Sequence, residues 1–69
     1  MEPRHGQVAS FDNQAGYGEL IDNLGNSWFF HCTAILDGSR TISVDKSVTF
    51  RLVAGRVGRW EAAEVQPLG

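Results

Sequence analysis

Apolar and polar residues alternate with a period of two along much of this chain, and no segment shows the spacing of a long amphipathic helix. Residues Gly16 to Cys32 predict two antiparallel strands around the turn Asp22-Asn23-Leu24-Gly25-Asn26, rich in residues that tolerate positive φ or form Asx turns. Alternation puts Tyr17, Glu19 and Ile21 on one face and Leu20 on the other. On the return strand Phe29 and His31 share a face, opposite Trp28, Phe30 and Cys32. If Trp28, Phe30 and Cys32 fill the interior with Leu20, then Tyr17, Phe29 and His31 face solvent. Phe29 cannot join Phe30 inside, because neighbouring strand residues point in opposite directions.

The flanking segments fit the same architecture. Gly6 to Phe11 is a weak strand pattern, ended by the turn signal Asp12-Asn13-Gln14-Ala15-Gly16. Thr33-Ala34-Ile35-Leu36 is too short for more than a 3₁₀ turn, with Thr33 as its expected cap and Ile35 as a plug for one end of a barrel. Asp37-Gly38-Ser39-Arg40 reads as a loop. Ser47 to Ala54 is the clearest strand, with Val48, Phe50 and Leu52 inward. Gly55-Arg56-Val57-Gly58-Arg59 is a glycine-bounded basic loop. Trp60 to Gln66 is the closing strand, with Ala63 and Val65 inward and Pro67 at its end. Val53 and Val57 receive no placement from the pattern. Five short strands with frequent turns predict an all-β fold, a small closed or partly open barrel, with an SH3-like barrel as the alternative.

Length and composition narrow this further. The 69 residues allow a single domain, residues 1–69, and 42% hydrophobic content suits a packed core. The opening Met-Glu-Pro-Arg-His lacks an apolar run, so no signal peptide is expected, and no stretch is apolar enough for a membrane span. A single cysteine, Cys32, cannot form an internal disulfide, which points to a reducing cytoplasm. The net charge of −2 is uneven: residues 1–39 hold one arginine against five carboxylates, and residues 40–69 hold five cations against three. An anionic partner is therefore drawn to the second half, while tight nonspecific duplex binding is disfavoured.

Catalytic chemistry finds little support. His31 and Cys32 are adjacent on a strand, so their side chains diverge and cannot share a proton. One cysteine and two histidines do not make a structural zinc site. Gly16-Tyr17-Gly18 is no nucleotide loop, since Ile21 occupies the position of the last glycine. The carboxylates are scattered singly and read as solvated surface. No enzyme activity, metal or cofactor is expected.

Gly16-Tyr17-Gly18-x-Leu20 and Trp28-Phe29-Phe30-His31-Cys32-Thr33-Ala34-Ile35 resemble the two ribonucleoprotein motifs of the cold-shock domain, Lys-Gly-Phe-Gly-Phe-Ile and Val-Phe-Val-His-Phe-Ser-Ala-Ile. Phe11-Asp12 falls where that family has Phe-Asn, and the likeness runs from about Gly6 to Val65. The resemblance implies a five-stranded antiparallel OB-fold barrel with one 3₁₀ turn after the third strand. It also implies single-stranded RNA or DNA as partner, with Phe11, Tyr17, Phe29 and His31 as nucleic-acid-binding residues.

The departures matter as much. Ser10 stands in place of a tryptophan, Glu19 and Cys32 in place of phenylalanines, and Ala9 and Ala15 in place of lysines. Each stacked base contributes roughly 1–3 kcal/mol, so weaker binding than a full platform gives is expected. Arg56, Arg59 and Trp60 lie in or beside the loop before the last strand, which OB-fold barrels use for ligands, and are candidates to restore part of the stacking and charge. Arg40 lies in the long loop before the fourth strand and is a further candidate cation. A different class of function remains open on the same residues: a depleted face that contacts a protein partner, or a homodimer formed through strand edges.

Overall fold

A computed structural model describes residues 3–55 and 58–68. Among the described residues, strands run in the order β1 (Arg4–Asp12), β2 (Tyr17–Asp22), β3 (Ser27–His31), β4 (Ser47–Ala54) and β5 (Trp60–Pro67), with a 3₁₀ turn over Cys32–Ala34 after β3. All pairings are antiparallel, and the sheet order is β3-β2-β1-β4-β5. The two ends of this sheet meet where Ile35 bridges Val65 in parallel and the Leu36 N–H donates to the Val65 carbonyl at 2.8 Å. The barrel expected from the sequence is thus closed through the segment after β3. Among the described residues no helix is long and apolar enough to cross a membrane.

The interior follows from alternation. Val8 of β1, Leu20 of β2, Phe30 of β3, Val48 and Phe50 of β4, and Val65 of β5 are the largest fully buried side chains. Ile35 joins them as the expected plug, and Leu52 is half-buried against the same cluster. Val53 points outward.

Two bulges break the strict period, and both correct the sequence reading. In β1 the register passes from Val8↔Leu20 directly to Ser10↔Glu19, so Ala9 is the extra residue and both Ala9 and Ser10 are exposed. The same stretch is pinned from the other side, where the Asp45 N–H donates to the Val8 carbonyl and the Val8 N–H to the Lys46 carbonyl. In β5 the register slips between Thr49↔Gln66 and Arg51↔Ala63, and Glu64 takes a left-handed φ of 49°. Ala62 therefore faces the core with Val65, not Ala63 as simple alternation predicts.

The 3₁₀ turn also differs in detail. His31 is its N-cap in extended conformation, with no side-chain cap bond, and Thr33 lies exposed inside the turn. Cys32 opens the turn and packs half-buried against the core.

Candidate nucleic-acid interface

The β2–β3 register sets Tyr17 opposite His31 and Glu19 opposite Phe29. Side chains directly across an antiparallel pair stand close, so three rings are gathered on one outward face. Tyr17 and Phe29 lie 5.3 Å apart between centroids, Phe29 and His31 5.0 Å, and Tyr17 and His31 6.4 Å. His31 meets both neighbours edge-on, whereas the Tyr17 and Phe29 planes are tilted by 36°. Tyr17 and His31 are exposed, and Phe29, wedged between them, is half-buried. Beneath this layer Leu20 and Phe30 are fully buried, as alternation requires.

Phe11 lies beside the ring cluster in a half-buried position. The bulge at Ala9 brings Phe11 opposite Gly18, whose side of the strand faces inward. Its ring stacks on core Phe30 with centroids 5.7 Å apart, and only one flank reaches a shallow groove beside Tyr17 and Phe29. Phe11 therefore packs beneath the ring cluster and also borders its flank.

The opposite side of the platform is more open. Between β3 and the start of β5 lies a groove of about 1060 Å³, against about 390 Å³ on the Phe11 side, so the β5 flank offers the roomier seat. Phe29 and His31 form one wall with Trp28, and Arg59 and Trp60 form the other. Trp60 is 60% exposed, so it does not cap the barrel. Arg59 and Trp60 thus join the central rings at one surface, whereas Arg56, with Val57, lies outside the described residues. Arg40 is exposed but lines neither groove.

One site residue runs against the sequence reading. Asp22, expected on the solvated surface, is 5% exposed. Its Oδ2 accepts from Trp28 Nε1 at 2.9 Å, and its Oδ1 accepts from the backbone N–H groups of Leu24 and Asn26, each at 2.9 Å. One carboxylate therefore closes the β2–β3 turn and holds the Trp28 indole at the edge of the groove. Alternation alone carries the signal, since Asp22 follows Leu20 onto the inward face and an inward carboxylate needs donors.

The Trp28 indole N–H, followed by the two turn amides, outweighs burial and lowers the Asp22 carboxyl to about 2 from 3.8. A carboxylate depressed on folding stabilises the fold above its unfolded value, and that contribution fades as pH falls from about 4 toward 2. Asp37, also lowered through its Ser39 bonds, acts in the same sense. Melting curves between pH 5 and pH 2 are expected to show this loss. Asp22→Asn should flatten the slope; an unaltered slope would show that the carboxylate is not so bound.

No three His, Cys, Asp or Glu side chains among the described residues stand together as a metal site.

Comparison with known proteins agrees with this geometry. The family model of the 'Cold-shock' DNA-binding domain matches residues 4–68. Cold shock protein CspB of Bacillus caldolyticus is 36% identical over 66 residues, covering 94% of this chain and 98% of that protein. A solved structure of Drosophila Unr, CSD456, superposes with a TM-score of 0.80 at 29% identity over 99% of this chain, which spans 27% of that longer chain. The closed five-stranded barrel and the family match across nearly its whole length have one reading: the chain belongs to the cold-shock domain family of nucleic-acid-binding OB-fold proteins.

Proposed function

We propose that this chain binds single-stranded RNA or DNA, without catalysis, by stacking bases on Tyr17, Phe29 and His31. The observation that carries this reading is the convergence of three rings on one outward face, with centroids 5.0–6.4 Å apart. Aromatic faces are sequence-tolerant seats for unpaired bases, whereas a duplex keeps its bases stacked on one another. Arg59 and Trp60 supply charge and a lateral wall. Affinity is weaker than a full aromatic and lysine platform gives, because Ser10, Glu19, Ala9 and Ala15 remove stacking and phosphate contacts. A reducing cytoplasm suits this role, since it keeps Cys32 a thiol.

Titration of labelled pyrimidine-rich single strands, with duplex of the same sequence as control, tests the proposal. Submillimolar binding to the single strand and much weaker binding to the duplex is expected. Absence of binding to either would defeat it.

Trp60→Ala addresses the groove wall separately. Removal of one stacking ring is expected to weaken single-strand binding by about fivefold, the low end for a base-aromatic contact. The exposed ring contributes little to the fold, so the melting midpoint should stay close to wild type. Unchanged affinity would remove Trp60 from the ligand surface.

A further inference from the structure

Glu19 occupies the middle of the proposed ligand surface. It is exposed, stands directly opposite Phe29, and borders both the groove toward Trp60 and the shallow groove toward Phe11. Among the described residues it makes no ion pair. The other carboxylate at the larger groove, Glu61, folds its Oε2 over Gly55 at the base of the β4–β5 loop. Asp12, across from Tyr17 at the smaller groove, turns its Oδ1 to the backbone N–H groups of Gln14 and Ala15. Glu19 is therefore the carboxylate set directly opposite Phe29.

We infer that Glu19 makes this surface select bases bearing an exocyclic amine (cytosine, adenine and guanine) over thymine and uracil. The inference rests on the single-strand reading above and deepens it. A base lying flat on Phe29 presents its edge sideways, and a side chain rising from the paired strand position stands beside that edge. An ionised carboxylate has only acceptors. It receives a hydrogen bond from cytosine N4 or adenine N6, and two from the adjacent N1–H and N2 amine of guanine. Thymine and uracil flank their single N3–H with two carbonyl oxygens, whose lone pairs face the carboxylate oxygens. Charge alone, acting on phosphates, would weaken all bases alike. A hydrogen-bonding edge separates them, and the unfavourable contact with the wrong base provides half of the discrimination.

The experiment compares labelled heptamers of deoxycytidine, deoxyuridine and thymidine at neutral pH, by fluorescence anisotropy, for the wild type, Glu19→Gln and Glu19→Ala. Wild type is expected to bind the cytidine heptamer roughly tenfold more tightly than the uridine one, within the range for a base-edge contact. The thymidine heptamer should follow uridine, which excludes the C5-methyl group as the cause.

Glutamine offers a donor as well as acceptors, and alanine offers neither. In both variants the ratio should fall to about twofold or less, even where removal of the charge raises every affinity. Equal wild-type binding to cytidine and uridine strands would overturn the selectivity and leave single-strand binding standing. A ratio that survives both substitutions would overturn the assignment to Glu19. Failure to bind any heptamer would overturn this inference together with the function it rests on.

Discussion

Gly18→Ala is expected to destabilise the barrel by about 3 kcal/mol or more, at or beyond the top of the usual range for an added methyl in a packed interior. A Cβ at Gly18 would lie 2.9 Å from both the Cα and the ring Cδ1 of Phe11, and nearer still to the Ser10 carbonyl oxygen. Two of these three atoms are main chain of β1, paired to β2 through Phe11↔Gly18, so neither strand can yield without opening the ladder. Relief by moving Phe11 would break its stack on Phe30 at the floor of the platform. A domain this small holds roughly 3–10 kcal/mol in total, so most of the margin goes. Urea unfolding followed by tryptophan emission reads the change. An unshifted midpoint would mean that β1 does not lie so close over β2.

Phe29→Ala is expected to lower single-strand affinity by about 5- to 150-fold, the span of one base-aromatic stack. The ring stands between Tyr17 and His31 and borders both grooves, so its removal takes away the shared centre of the surface. Because Phe29 is half-buried, a modest stability loss accompanies the substitution. Circular dichroism at the titration temperature separates that loss from the binding effect. Tyr17→Ala, at the rim of the cluster, should fall short of it. A folded Phe29→Ala protein with wild-type affinity would show that bases are not stacked there.

The central hairpin was legible in the sequence because nothing interrupts its period: Leu20 and Phe30 are buried and Tyr17 and His31 exposed, as alternation requires. The clear strand Ser47–Ala54 was legible for the same reason. Reading failed where one residue was inserted into a ladder. Ala9 and Glu64 each break the phase of the strand that holds them, so Phe11 turns toward the core and Ala62 takes the inward place expected of Ala63. A bulge of this kind depends on the partner strand, and Glu64 adopts positive φ with no glycine to announce it. The role of Asp22 was missed differently. Its inward phase was visible, but its donors are brought together only when the turn closes and Trp28 lies across from Leu20. In the site, the rings were found from their strand positions, whereas the approach of Arg59 and Trp60 to β3 depends on barrel closure.

That closure has a consequence for how the molecule would behave once occupied. Among the described residues, the backbone links across the seam between β3 and β5 come from the segment after β3, the Ile35–Val65 bridge and the Leu36 amide, and the larger groove straddles the same seam. An oligomer resting on Phe29 on one bank and Trp60 on the other would span the weakest join in the barrel like a staple. Loaded protein should then open along this seam more slowly than empty protein, and the amide hydrogen of Leu36 should exchange later, because the ligand adds a link across the join.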